Sequence, residues 1–233
     1  MGETRPTLVL FARAPVPGGV KTRLTAALGS EGCARLYRAF LEDAARVYAA
    51  GAWNPVLYAD ADSDEPSLVS IFRPPWRRET QAPGDLGRRL SEAFRAERSR
   101  GAGAVAAVGS DHPALPRASL ARLFAAVRGG TDVAVVPARD GGYCAIGLSG
   151  LVDPDAVFEG IPWSSATTLA ATLERLRRRR LTVTLLDPAY DVDRPEDLER
   201  LRADLAARNP EEDDYPRSTA AALAAIALPG RPA

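Results

Sequence analysis

The sequence lacks the residues that several common catalytic and metal-binding motifs need. Its 233 residues include two cysteines, Cys33 and Cys144, which are far apart and form neither a CxxC pair nor a zinc-binding spacing. We therefore expect two reduced thiols in the core. The single histidine, His112, follows Asp111, and neither HExxH nor GxSxG occurs. A zinc protease and a serine hydrolase of the Ser-His-Asp type are thus not expected.

An excess of charge and a long apolar run are also missing. Thirty basic residues balance thirty acidic residues, so the formal net charge at pH 7 is zero, and no overall field attracts nucleic acid or an anionic membrane. The one dense basic cluster, at 175–180, lies at the predicted end of a helix, where cations stabilise the helix dipole. No apolar run approaches the ~18 residues of a membrane span. We predict a cytoplasmic protein without nucleic-acid or membrane partners, and the oligomeric state stays open, a homodimer included.

Short apolar runs alternate with helical patterns along the chain. Strands are predicted at 7–12, 55–59, 104–109, 132–138, 143–148 and 182–186, and helices at 30–50, 86–98, 117–127, from after Ser165 to about Arg180, and at 195–207. This alternation predicts an α/β fold, a single three-layer α/β/α domain whose mostly parallel sheet is made mixed by one hairpin. The domain is expected to span residues 1–208, and 209–233 to form a tail that is partly disordered or a docking helix.

A cationic loop follows the first predicted strand. The segment from Phe11 to Leu24, FARAPVPGGVKTRL, contains Arg13, Lys21 and Arg23 among prolines and glycines. A loop between a buried strand and a helix can turn backbone N–H groups toward an anion, while the cations supply charge. The segment has neither the Walker A spacing nor GxGxxG. It predicts a polyphosphate site of another type, and an exposed basic turn is the alternative.

Carboxylates occur next to other strand ends and turns. Asp111 directly follows the strand at 104–109, a position suited to Mg²⁺, which typically takes one or two carboxylates together with substrate phosphates. The alternative is that Asp111 caps the helix near Pro116. Asp193 precedes the last helix, where it either caps that helix or serves the site. Asp140, in the predicted hairpin turn, is either a turn residue or a general base.

Six segments occur in an order that a known family shows: FARAPVPGGVKTRL, QAPGDLGRRL, GSDHPAL, PARDGGYCAIGL, PWSSATT and DVDRPEDL. Together they resemble the small bacterial nucleotide-diphospho-sugar transferases of the GT-A type, a group that includes the radical-SAM/selenodomain-associated or arsenosugar-biosynthesis glycosyltransferases. The resemblance runs from about Leu8 to Leu201. It implies a Rossmann-like GT-A fold and transfer of a sugar from a nucleotide-diphospho-sugar donor to a small-molecule acceptor with Mg²⁺ or Mn²⁺.

Two other functions stay open at this point. The same superfold includes nucleotidyltransferases of the guanylyl- and cytidylyltransferase kind, which share a KTRL-like loop and release pyrophosphate from an NTP. The third alternative is a nucleotide-binding module that catalyses no reaction. Glycosyl transfer and nucleotidyl transfer would use the same pocket.

The resemblance also implies roles for individual residues. The nucleotide-binding set comprises Phe11, Ala12, Arg13, Lys21, Arg23, Gln81, Gly84, Asp85 and Ser110. The metal ligands are Asp111 and Asp193, the catalytic residues are Asp111, Asp140 and Lys21, and the sugar or acceptor side comprises Gly141, Gly142, Tyr143 and Trp163. Arg194 stands where the family usually has Thr.

Overall fold

The computed structural model describes residues 4–60 and 64–226 and confirms the predicted fold class. Its seven strands form one sheet in the order β3-β2-β1-β4-β6-β5-β7. Among the strands of the described residues, β6 alone runs antiparallel to its neighbours. The strands are β1 (Thr7–Ala12), β2 (Asn54–Ala59), β3 (Arg77–Thr80), β4 (Ala104–Gly109), β5 (Val133–Pro137), β6 (Tyr143–Ser149) and β7 (Val183–Leu185).

Helices cover both faces of this sheet. They are α1 (Thr25–Ala49), α2 (Pro66–Ile71), α3 (Leu86–Ser99), α4 (Arg117–Arg128), α5 (Pro154–Phe158), α6 (Thr168–Arg178), α7 (Pro195–Ala206) and α8 (Arg217–Ala225). One core layer contains side chains of α1, α2, α4, α7 and α8, and the other contains side chains of α3, α5 and α6. None of the helices in the described ranges is long and apolar enough to cross a bilayer.

Alternation along the strands divides the core between these layers. Leu8 and Leu10 of β1 belong to the layer with α1, whereas Val9 between them belongs to the layer with α3. Successive strand side chains point to opposite faces, so a strand that is apolar at every position serves both layers. The continuous apolar runs at 7–12 and 104–109 are therefore buried parallel strands, as predicted.

The elements that the sequence did not predict are short or polar. β3 reads Arg-Arg-Glu-Thr and lies at a sheet edge, so it has no apolar pattern to detect. α2 and α5 have six and five residues. α1 is interrupted at Gly29, whose φ is 66°, and the predicted start at Ser30 is the point where the helix resumes.

The parallel arrangement brings several loops to one edge of the sheet. β1, β2, β3 and β4 run parallel, so residues that follow each of them lie at the same edge. β6 runs in the opposite sense, and its residue Ala145 is paired with Val108 of β4, so β6 begins where β4 ends. Ligands of open α/β sheets bind at this carboxyl edge.

A buried carboxylate anchors α8, which comes from the segment predicted as a tail. Asp43 of α1 is 2 % exposed and accepts hydrogen bonds from the backbone N–H groups of Ser218 (3.1 Å) and Thr219 (2.7 Å) in the first turn of α8. These N–H groups have no partner inside their own helix, so Asp43 acts as a cap supplied by another helix. Residues 227–233 of the predicted tail lie outside the described residues.

We expect Asp43→Ala to lower the free energy of unfolding by about 2–3 kcal/mol, because two buried N–H groups lose a charged acceptor. Asp43→Asn keeps one acceptor oxygen and should cost less. Urea denaturation measures both, and Glu42→Ala, at the half-exposed neighbouring position on α1, is the matched control with an expected change within about 0.5 kcal/mol. Equal effects of Asp43→Ala and Glu42→Ala would contradict this account of α8.

Candidate functional site

Lys21 lies between two carboxylates at the carboxyl edge. Its ammonium Nζ is 2.5 Å from Asp111 Oδ1 and 3.0 Å from Asp193 Oδ1. The Lys21 side chain is 3 % exposed, and Arg23 reaches the other oxygen of Asp193 at 3.3 Å. Thus the structure brings the cationic loop and both predicted metal ligands together. Lys21 is also the only lysine in the chain, where the other 29 basic residues are arginines.

Two aromatic rings of α1 support the Lys21 side chain. The ammonium lies 5.9 Å from the ring centroid of Tyr37 and 5.6 Å from that of Phe40. The Tyr37 hydroxyl contacts the hydroxyl of Ser110 at 2.7 Å and accepts a hydrogen bond from the backbone N–H of Arg13 at 3.0 Å. Tyr37 therefore ties the start of the cationic loop to the end of β4, and sequence reasoning missed it.

The opposite charges of Lys21 and Asp111 favour the ionised form of each. Burial alone would lower the pKa of Lys21, but Asp111 and Asp193 raise it further than burial lowers it. Partial burial likewise would raise the pKa of Asp111, and the Lys21 ammonium shifts it below its usual range. Asp111 and Asp193 thus form a convergent anionic pair that already holds a cation, so the residues present fit a divalent metal.

The capping alternatives for the two aspartates are wrong. The N-cap of α4 is Pro116, not Asp111. The N-cap of α7 is Arg194, and the carboxylate of Asp197 accepts hydrogen bonds from the backbone N–H groups of Asp193 (3.0 Å) and Arg194 (2.8 Å). The side chain of Asp193 takes no part in this helix start and is left for the cations. At residue 194 the bond to Asp197 uses the backbone N–H, so it forms with Arg194 as it would with the Thr that the family usually has there.

The predicted nucleotide loop is braced by internal bonds. The amide Nε2 of Gln81 donates to the carbonyl oxygens of Ala12 (3.3 Å) and Tyr58 (2.8 Å), which links the ends of β1 and β2. Arg13 pairs with Asp60, the residue after β2, at 3.3 Å. Asp60 is a second site residue that sequence reasoning missed, although it directly follows a predicted strand.

The rest of the nucleotide set lies around this brace. The Phe11 ring stacks on the Tyr58 ring at 5.8 Å. Asp85 accepts a hydrogen bond from the backbone N–H of Arg88 at 2.8 Å and so caps α3, while the carbonyl of Gly84 accepts from Arg89 at 2.8 Å. Contact of Gln81, Gly84 and Asp85 with a base stays a prediction.

The predicted acceptor residues form a second group. Gly141 has a φ of 94°, and a Cβ there would lie 2.0 Å from the carbonyl oxygen of Ala166, so only glycine fits this close approach. The rings of Tyr143 and Trp163 meet edge to face at 6.1 Å. The carboxylate of Asp140 accepts from the backbone N–H of Gly142 at 2.9 Å, which is the turn role considered for it.

Asp191 is a further carboxylate at this edge that sequence reasoning missed. Its Oδ1 lies 3.3 Å from His112 Nδ1, and the backbone N–H of Val192 donates to the carbonyl of Asp111 at 3.0 Å. Burial is the main cause that raises the pKa of Asp191 to about 6, opposed by His112 and aided by nearby carboxylates. The signal was the Asp-Val-Asp spacing, since alternate residues of an extended segment share one side.

Comparison with known protein families shows the family of this chain. The family described as "Uncharacterized protein conserved in bacteria (DUF2064)" matches residues 43–165. The chain belongs to this family. A solved structure from Desulfovibrio desulfuricans G20, described as a "putative nucleotide-diphospho-sugar transferase", superposes with a TM-score of 0.84 at 30 % identity, covering 96 % of this chain and 98 % of that one. This similarity confirms the resemblance to the GT-A-type group.

More distant structures share the fold alone. A cytidylyltransferase from Leptospira borgpetersenii serovar Hardjo-bovis has a TM-score of 0.60 at 11 % identity, covering 96 % of this chain and 94 % of that one. A 4-diphosphocytidyl-2C-methyl-D-erythritol synthase from Anaerococcus prevotii has a TM-score of 0.57 at 12 % identity, covering 88 % and 99 %. No curated protein matches the sequence.

We expect Asp191→Asn to stabilise the metal-free protein at about pH 8 by about 1–3 kcal/mol and to change it little at about pH 4. A folded-state pKa near 6 means that the folded protein retains a proton that the unfolded chain releases, so wild-type stability falls as the pH rises from about 4 to about 6. The amide introduced by Asp191→Asn carries no titratable proton, so the stability of the variant does not fall in this way as the pH rises.

Urea unfolding in a chelating buffer at both pH values measures the difference. Asp187→Asn is the matched control, because that side chain is 82 % exposed, and we expect it to shift stability by about 0.5 kcal/mol or less at either pH. If Asp191→Asn lowered the free energy of unfolding by the same amount at both pH values, the raised pKa of Asp191 would be refuted.

Proposed function

We propose that this protein is a Mg²⁺-dependent glycosyltransferase that moves a sugar from a nucleotide-diphospho-sugar donor to a small-molecule acceptor. The observation that carries the proposal is the Lys21 ammonium held by Asp111 and Asp193 at the ligand-binding edge of the sheet. The relative at 30 % identity, described as a "putative nucleotide-diphospho-sugar transferase", supports the same assignment.

Asp111 and Asp193 are the residues that would hold Mg²⁺ or Mn²⁺. Both are carboxylates, the ligand type that hard divalent cations prefer, and a metal of this kind takes its remaining oxygens from substrate phosphates and water. The bound metal would neutralise the negative charge that develops on a departing nucleoside diphosphate.

The cationic loop would bind the diphosphate itself. The side chains of Arg13 and Arg23 are mostly exposed, at 63 % and 68 %, so they can reach a ligand in solution. In this proposal Lys21 turns from the carboxylates to the diphosphate as the metal binds, since two cations in one carboxylate pair repel each other. Its charge then stabilises the leaving group in the transition state.

The acceptor would approach from the side of Asp140 and the glycines that follow it. Asp140 is exposed and has a carboxylate that can take a proton from an acceptor hydroxyl. Tyr143 and Trp163, whose rings pack together, would border the sugar or acceptor.

Nucleotidyl transfer is the second candidate function. The observation in its favour is that Asp193 contacts the same ammonium as Asp111, which is the pair of carboxylates expected from related nucleotidyltransferases. In that reaction the same residues would assist attack of a substrate phosphate on the α-phosphate of an NTP, with pyrophosphate as the leaving group. No general base is needed there.

The two functions differ in their products. We expect the purified protein with Mg²⁺ to release a nucleoside diphosphate from a nucleotide sugar, the sugar passing to the hydroxyl of an added acceptor or more slowly to water, and to release no pyrophosphate from any of the four NTPs. We also expect Asp140→Asn to slow sugar transfer by about 10²-fold or more while nucleotide affinity is retained. Pyrophosphate release that is unaffected by Asp140→Asn would instead establish nucleotidyl transfer.

The role of Lys21 has a test that needs no substrate turnover. We expect Lys21→Met to weaken binding of a metal–nucleotide complex by about 10-fold or more, because a charged contact to phosphate is lost. The same variant should bind free Mn²⁺ more tightly than the wild type, because Asp111 and Asp193 no longer hold an ammonium.

Electron paramagnetic resonance of Mn²⁺ and calorimetry of nucleotide binding measure the two affinities. Asp111→Asn is the companion variant and should lose Mn²⁺ binding. If Lys21→Met left both affinities unchanged, the cationic loop would not be the diphosphate site.

A further inference from the structure

A nitrogen, a sulfur and an oxygen donor lie close together at the carboxyl edge, on residues that include close sequence neighbours of Asp111 and Asp193. His112, Cys144 and Asp191 each offer one ligand atom, and these atoms all lie within 4.8 Å of one another. His112 Nδ1 is 3.3 Å from Asp191 Oδ1, and Cys144 Sγ is 4.0 Å from the same oxygen. His112 and Cys144 are buried, at 6 % and 2 % exposed.

The backbone fixes the three segments that carry these donors. Cys144 lies on β6 next to Ala145, which is in register with Val108 of β4. The segment before Asp191 is tied to β5 by the N–H of Ala189, which donates to the carbonyl of Pro137 at 2.9 Å. The donors are therefore held together without a ligand, so little ordering would be required on binding.

The His112 ring depends on a glycine beside it. A Cβ on Gly109 would lie 2.9 Å from His112 Nε2, so the absence of a side chain there lets the ring turn Nδ1 toward Asp191 and the carbonyl of Tyr190, 3.3 Å away. A metal on Nδ1 would take the place of that contact to the carbonyl.

The surroundings of the three donors are anionic. Burial raises the pKa of the Cys144 thiol, and the carboxylates of Asp191, Asp140 and Asp111 raise it further. Beyond burial, the charges of Asp140, Asp111 and Asp193 raise the pKa of Asp191, and His112, 3.3 Å away, opposes them. A bound divalent cation would relieve this repulsion and favour the thiolate.

We propose that His112, Cys144 and Asp191 form a second cation site, one that takes a divalent metal of borderline softness such as Zn²⁺. Such a metal accepts sulfur, nitrogen and oxygen together, whereas Mg²⁺ prefers oxygen alone. Zinc–ligand lengths of about 2.0–2.3 Å in a tetrahedron place donors about 3.3–3.6 Å apart. The separations from Asp191 to His112 and to Cys144, 3.3 and 4.0 Å, lie within a few tenths of an ångström of that range, and the third, between His112 and Cys144, is within 4.8 Å.

Binding is balanced by proton release. The thiol proton of Cys144, with any proton on His112 or Asp191, passes to solvent as the metal binds, so affinity rises with pH. With three protein ligands, the fourth position of the tetrahedron is open to water or to an anionic group. The site does not depend on the proposed function, since no step of sugar or nucleotidyl transfer uses it.

Cobalt titration tests the site, because Co²⁺ replaces Zn²⁺ and a cobalt–thiolate bond absorbs in the near ultraviolet. In excess Mg²⁺, we expect one equivalent of Co²⁺ to produce this charge-transfer band and Zn²⁺ to remove it. Cys144→Ala should abolish the band, and Cys33→Ala, at the other buried free cysteine, should retain it.

Two further variants separate this site from the carboxylate pair. Asp191→Asn should weaken Co²⁺ binding by about 10-fold or more, and Asp193→Asn should leave the band in place. Zn²⁺ at about 100 times its dissociation constant should raise the wild-type melting temperature by roughly 5–10 °C and that of Asp191→Asn by much less, which keeps a readout even if Cys144→Ala does not fold.

The proposal is overturned if wild-type protein gives no thiolate–cobalt band, or if the band persists in Cys144→Ala. It is equally overturned if Asp193→Asn, rather than Asp191→Asn, removes the metal.

Discussion

The arrangement at the carboxyl edge depends on one shared ammonium. Lys21 contacts Asp111 and Asp193, two carboxylates from distant parts of the sequence, and the centroids of two aromatic rings of α1 lie 5.9 and 5.6 Å from its ammonium. Without that ammonium, the two carboxylates would face each other as like charges in a partly buried place. In the function proposed above, this same pair would hold the metal once a polyphosphate has drawn the ammonium away.

The sheet supplies the framework that makes this contact possible. Parallel β1 and β4 are hydrogen-bonded neighbours, so the loop after β1 and Ser110 after β4 start side by side. The returning strand β6 then carries Cys144 and the turn at Asp140 to the same edge. Lys21 is in the left-handed region with a φ of 49°, a conformation that costs a side-chain-bearing residue about 1–2 kcal/mol and that the ion pairs and aromatic contacts offset.

The sequence predicts the main strands and helices because each has an apolar pattern of its own. It also predicts that the cationic loop and Asp111 meet, since both follow buried parallel strands. It does not predict Tyr37 or Asp191, because a tyrosine on a helix face and an acidic residue before a helix have common structural uses. Their roles depend on which segments are neighbours in space, as the bond from Val192 to Asp111 shows. β3 was missed because an edge strand of four polar residues carries no apolar period.

The most direct measurement uses the fact that Lys21 is the only lysine of the chain. Isotope-labelled lysine gives one side-chain signal in a nuclear magnetic resonance spectrum, and a pH titration of that signal reads the pKa of Lys21 alone. The account predicts a pKa above the ordinary value of about 10.4 in the metal-free protein, falling in Asp111→Asn. A pKa at or below the ordinary value, unchanged in Asp111→Asn, would contradict the shared ammonium and everything built on it.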